Sequence, residues 1–132
     1  MVIKMRLWHQ DLIPFLPMEQ LLGQHRELCA LRGKGFGRKH KTVDYVFKYP
    51  YYFLYKFHLI VIKEMEKRGY HVNPIWKIKN YRGKNIGFDF TEFTQDKICG
   101  NKIYKEHDET YLIECIENLN KKNKRLLTDK FY

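Results

Sequence analysis

The sequence predicts a mostly α-helical fold in a single compact domain, and three observations carry that expectation. Apolar residues recur at three- and four-residue spacing in three stretches, near residues 18–31, 50–68 and 108–121. Pro17, Gly33, Pro50 and Gly69 fall at the edges of the first two stretches, where helices start and stop. A chain of 132 residues has room for one modest core. Residues 1–132 therefore read as one unit of about three helices with long basic loops. An arm spans 1–16, and a basic and aromatic tail spans 122–132.

Taken in order, residues 1–16 are expected to be extended, because Pro14 and Pro17 interrupt any long helix there. Leu7, Trp8, Leu12, Ile13, Phe15 and Leu16 are the arm's apolar points. Pro17 suits the first turn of a helix from about Met18 to Leu31. Met18, Leu21, Leu22, Leu28 and Cys29 lie near one face of it, and Gln20, Gln24, Arg26 and Glu27 are placed on other faces. Gly33 ends it, and residues 32–42 form a loop with three glycines and five Lys or Arg. A second helix is expected from about Pro50 to Arg68, stopped by Gly69. Tyr51, Leu54, Tyr55, His58, Leu59, Ile62 and Met65 follow its period. His58 on that apolar face reads as a hydrogen-bonded core histidine rather than a ligand. Residues 70–105 are less regular. Ile86, Phe88 and Phe90 alternate with polar residues as a short strand or extended segment would, and Trp76 to Lys84 interleaves rings with cations. Asp108 is a natural N-cap for a last helix to about Lys121, with Tyr111, Leu112, Cys115, Ile116 and Leu119 as its stripe.

Charge narrows the partner. There are 25 Lys and Arg against 15 acids, a formal net charge of +10. So large an excess of one sign favours a polyanion, nucleic acid before a membrane surface. Aromatics make up 16% of the chain, and rings not spent on the core could stack on bases. Cys29, Cys99 and Cys115 are odd in number and far apart, which suits a reducing compartment and argues against disulfides or structural zinc. The six histidines show no metal-ligand spacing, so a metal-dependent nuclease is disfavoured and no cofactor is implied. No apolar run is long enough to span a bilayer, and a cytoplasmic, nucleoid-associated monomer is expected.

The most telling segment is Gln24-His25-Arg26-Glu27-Leu28, followed by Arg38-Lys39-His40. A carboxylate beside an arginine, just before a loop of glycines and cations, suggests chemistry on a polyanion. On composition alone a surface ion pair is the commoner use of such a glutamate. The glycine-rich loop is not a P-loop, which needs a strand before and a helix directly after.

The order of these motifs resembles the pyrimidine-dimer DNA glycosylases with abasic-site lyase activity, the phage-type ultraviolet-damage endonucleases. Their tyrosine-arginine-glutamate-leucine run corresponds to His25-Arg26-Glu27-Leu28, and their arginine-lysine-histidine run to Arg38-Lys39-His40 after Gly37. A lysine-arginine-glycine-aromatic step corresponds to Lys67-Arg68-Gly69-Tyr70, and a histidine before the last helix to His107. The resemblance spreads over about residues 5–122. Met5-Arg6-Leu7-Trp8-His9-Gln10 is more similar to a bacterial branch of the family.

The resemblance implies that an N-terminal α-amine attacks the sugar C1′ of a damaged nucleotide in duplex DNA. It displaces the base, forms a Schiff base, and nicks the strand by β-elimination. An α-amine suits this role because its ordinary pKa of about 7.7–8.0 lies far below that of lysine. Glu27 would stabilise the developing cation and assist proton transfer. The amine would be that of Met5, or of Val2 after removal of Met1. Arg26 and Lys121 match phosphate-binding positions, and Arg6, Arg32, Lys34, Arg38, Lys39 and His40 are the further DNA-contact candidates. The chain departs from the phage pattern at Ala30, where an arginine is expected, and at Glu117 on the last helix. The lesion is therefore left open between pyrimidine dimers, another damaged base and a plain abasic site. The competing reading is a non-catalytic nucleic-acid-binding module of the same fold.

Overall fold

The computed structural model describes residues 7–33, 44–89, 98 and 100–131, with side chains given for these except Asp44 and those beyond Lys121. Three α-helices carry the fold: α1 (Met18–Arg32), α2 (Tyr51–Lys67) and α3 (Glu109–Phe131). Among the described residues there is no strand, only an isolated antiparallel bridge between Tyr81 and Phe88. The extended segment expected at residues 86–90 is thus a loop closed by one bridge, with Phe90 outside the described residues.

The arm differs from expectation. Gln10–Phe15 is a 3-10 turn, capped by His9, whose Nδ1 accepts the Asp11 N–H at 3.0 Å. Pro14 sits inside it, tolerated because this short turn closes through other residues, with Leu12 N donating to His9 O and Leu16 N to Ile13 O. The turn buries Leu12 and Ile13 and packs on α2. Arg68, just past the end of α2, then clasps the arm. Its guanidinium donates to Leu16 O at 2.7 Å and Pro14 O at 3.0 Å while pairing with Glu64 at 2.8 Å.

Helix α2 is the scaffold. Its apolar period buries Leu54, Phe57, His58, Val61, Ile62 and Met65. Gly69, at φ +93°, follows the last turn in the left-handed conformation that glycine adopts without cost. Helix α1 packs on α2 through Leu21, Leu28 and Leu31, but its inner face also carries Gln24 and Arg32. Met18, expected inside, is exposed. Gly33 closes α1 at φ −87°, so its backbone is one that any residue adopts. What favours glycine there is close approach, since an added Cβ would lie 3.3 Å from the Arg82 carbonyl oxygen.

Helix α3 begins as expected, with Asp108 Oδ1 accepting the Tyr111 N–H at 2.9 Å. It runs to Phe131, ten residues past the expected end. Cys115 and Leu119 face the core, whereas Ile116 is exposed. The segment before it is tied to the arm by His107, whose Nδ1 accepts the Gln10 N–H at 3.1 Å and whose Nε2 lies 2.6 Å from Tyr45 Oη. A backbone N–H can only donate, so Nδ1 is unprotonated and Nε2–H donates to Tyr45. Burial holds His107 down to about pKa 3, with the neighbouring His9 acting in the same direction.

Candidate functional site

Two clusters meet on α1. The first joins the arm to the candidate acid. Gln24 is 1% exposed, although the sequence placed it on an outer face. Its Oε1 accepts the Trp8 N–H at 2.6 Å, and its Nε2 donates to Glu27 Oε2 at 3.2 Å. The Leu7 carbonyl, on the other side of the same peptide unit, accepts from Tyr111 Oη on α3. The arm therefore enters the described structure clamped beside a half-buried carboxylate. Arg26 is exposed on the next face of the helix. It rims a hollow of about 310 Å³ shared with Cys29, Trp76, Arg82 and Lys84.

The second cluster lies beneath that hollow. Arg32, expected to contact DNA, is 0% exposed and cannot reach a phosphate from this position. Its guanidinium donates to the carbonyls of Trp76 (2.7 Å), Ile78 (2.9 Å) and Tyr81 (2.8 Å), to Tyr51 Oη (2.9 Å) and to His58 Nδ1 (3.0 Å). It also lies 5.1 Å from the Trp76 ring centroid. The ring-and-cation stretch from Trp76 to Lys84 is therefore partly spent on holding this arginine, with Tyr81 buried.

Arg32 decides the protons of its neighbours. A guanidinium only donates, so His58 Nδ1 must accept, and the neutral ring carries its proton on Nε2. That N–H donates to His25 Nδ1 at 2.8 Å, which leaves the His25 proton on Nε2, 3.7 Å from Cys29 Sγ. Burial lowers both histidines, the Arg32 charge pushes the same way, and His58 falls well below its ordinary range. Burial likewise pushes the Cys29 thiol up to about 11, against the pull of Arg32.

His25, Cys29 and His58 bring three potential metal-ligand atoms within 4.8 Å of one another. The donor set does not fit a cation. His58 would have to release its Nε2 proton while Nδ1 still accepts from Arg32, which requires an imidazolate next to a fixed guanidinium. The cluster is better described as a neutral hydrogen-bonded relay supporting the wall of the hollow. His58 is thus the hydrogen-bonded core histidine expected from its place in the α2 period.

Of the remaining site candidates, Glu27 and Arg26 are neighbours on α1, and Lys121 is exposed on α3. Val2, Met5, Arg6, Lys34, Arg38, Lys39 and His40 lie outside the described residues. Gln24 and the inward role of Arg32 were missed because polar chemistry was read as surface. A positional signal existed, since 21, 24, 28 and 31 continue one helical stripe whatever their side chains.

A basic, mostly helical domain with a carboxylate linked through Gln24 to its N-terminal arm is the class of protein that the fold and site define. The sequence model of the family described as pyrimidine dimer DNA glycosylase matches residues 5–78, from the arm through α1 and α2. The chain belongs to that family of DNA repair glycosylases, whose substrate is DNA. Residues 79–132, including His107 and Lys121, lie beyond the matched span. Comparison with curated proteins and with solved structures returns no match. No helix among the described residues is long and apolar enough to cross a membrane.

Proposed function

We propose that this protein is a DNA glycosylase with abasic-site lyase activity on damaged duplex DNA, acting through its N-terminal amine and Glu27. The observation that carries the reading is the Trp8–Gln24–Glu27 chain, which brings the arm to the carboxylate on α1. In this reading the free amine attacks C1′ and gives up a proton while the base departs with the glycosidic electron pair and is protonated; the nitrogen lone pair then opens the C1′–O4′ bond, O4′ takes up a proton, and an iminium forms. Glu27 stabilises the cationic sugar and then the iminium, and takes part in moving the C2′ proton whose loss expels the 3′-phosphate. A Met5 amine is three residues from Trp8, a tether of at most about 10 Å. A Val2 amine is six residues away, about 20 Å, and would need its longer tether to fold back.

Arg26 and Lys121, both exposed, supply phosphate contacts, with Arg6, Lys34, Arg38, Lys39 and His40 as sequence-based candidates for the same role. Attack needs C1′ to be exposed, so the reaction also requires a nucleotide to be displaced from the stack. The formal charge of +10 supports tight, salt-sensitive binding.

The deciding experiment is borohydride trapping on duplex DNA carrying a cyclobutane pyrimidine dimer or an abasic site, with chains starting at Met1 and at Met5 and with Glu27→Gln. A covalent adduct with the dimer establishes the glycosylase-lyase, and mass spectrometry of the adduct identifies the amine. An adduct at the abasic site alone narrows the activity to lyase chemistry or another lesion. No adduct from either start, with salt-sensitive binding intact, leaves a binding module and refutes the enzyme reading.

A further inference from the structure

We propose that Gln24 is a positioning residue that sets the arm against Glu27. The inference rests on the reading above, in which the arm bears the nucleophile. A buried side-chain amide is costly in a helix face that otherwise packs Leu21, Leu28 and Leu31, and a leucine there would avoid the cost. The cost is offset only because both ends of the amide are used. Its carbonyl holds the arm at Trp8 N–H, and its NH₂ holds Glu27 Oε2. The Leu7–Trp8 peptide is gripped on its other edge by Tyr111, so its plane cannot rotate freely. One planar amide thereby fixes the Leu7–Trp8 peptide and the carboxylate relative to each other. Gln24 acts through Trp8 and Glu27, holding each by a hydrogen bond.

The test uses the full chain, with abasic duplex DNA as the probe, and compares Gln24→Leu and Gln24→Glu with the parent. Gln24→Leu keeps the volume and removes both hydrogen bonds. Its first-order trapping rate is expected to fall roughly 10- to 100-fold, the usual consequence of a misplacement near 1 Å. Duplex affinity should fall by only a few fold, because Arg6 alone among the proposed phosphate contacts lies on the arm. Gln24→Glu keeps an acceptor for Trp8 N–H but sets a second carboxylate against Glu27. The acid limb of its rate-against-pH profile should move up by about one unit. A structural role alone would not move that limb, and this isosteric variant carries the test if Gln24→Leu fails to fold. Trapping by Gln24→Leu within twofold of the parent, or an unmoved acid limb in Gln24→Glu, overturns the proposal while leaving the glycosylase-lyase reading intact. A parent protein that traps nothing overturns both.

Discussion

Replacing Arg32 by methionine separates an internal strut from a DNA contact. Methionine keeps the length of the side chain and removes every donor. Of the five polar partners, Ile78 O retains the Tyr81 N–H at 3.1 Å and Tyr81 O retains the Tyr51 hydroxyl at 3.2 Å. The Trp76 carbonyl and His58 Nδ1 lose the donor that Arg32 gave them. Each buried acceptor left bare costs about 1–3 kcal/mol. Some of this is returned, because Arg32 has no carboxylate among the described residues within ion-pair distance, and removing a buried charge relieves its desolvation. The net expectation is a loss of about 2–4 kcal/mol, a large part of the stability of a domain this size. Urea unfolding should show it as a midpoint lowered by roughly 1–2 M. The salt dependence of duplex binding, measured well below that midpoint, should be unchanged. An unchanged midpoint together with a salt slope reduced by about one would refute the argument and return Arg32 to the DNA surface.

Stability should fall with acid. His107 and His58 are neutral in the fold and protonated when unfolded below about pH 6.5, so the unfolded state gains protons first. His107, at about 3 in the fold, alone accounts for roughly 2 kcal/mol lost by pH 5, with Asp11 and Asp108 opposing His9 and Lys102 around it. Unfolding midpoints that stay flat from pH 7 to 4.5 would contradict this. In a Cys99→Ser background, Cys29 should react with a disulfide reagent at pH 8 roughly 10²-fold more slowly than an ordinary thiol, given its pKa of about 11. A rate near that of free cysteine would mean that the His25–Cys29 side of the hollow is open. Added zinc should leave the thermal midpoint unmoved, because Arg32 holds His58 in the tautomer that points a proton at the would-be cation. A rise that grows with zinc concentration would overturn that tautomer assignment. Asp108→Ala should cost about 1 kcal/mol through loss of the α3 cap, read as a lower urea midpoint without a change in trapping rate.

Much of the scaffold was legible because it is periodic. Helix α2 lies where Tyr51 to Met65 repeat at helical spacing, and its end is marked by Gly69. Asp108 could be read as a cap because capping is local, needing only residues 108 to 111. The arm was harder to read. Its prolines exclude a long helix, yet they do not exclude a short 3-10 turn, and Arg68, more than fifty residues away, completes it by donating to the carbonyls of Pro14 and Leu16. Residues 86–90 read as a short strand or an extended segment, and among the described residues they make only the isolated bridge between Phe88 and Tyr81.

The site divides along the same line. Glu27 beside Arg26, the basic charge and the family motifs are properties of the order of residues, and the sequence by itself determined them. The inward turn of Arg32, the proton positions on His58 and His25, and the grip of Gln24 on both Trp8 and Glu27 were decided by the tertiary structure alone. The physical reason is that a polar side chain is stable inside only when its partners are there to meet it. For Arg32 those partners are carbonyls 44 to 49 residues away, and for Gln24 a peptide N–H sixteen residues away, so no local pattern announces them.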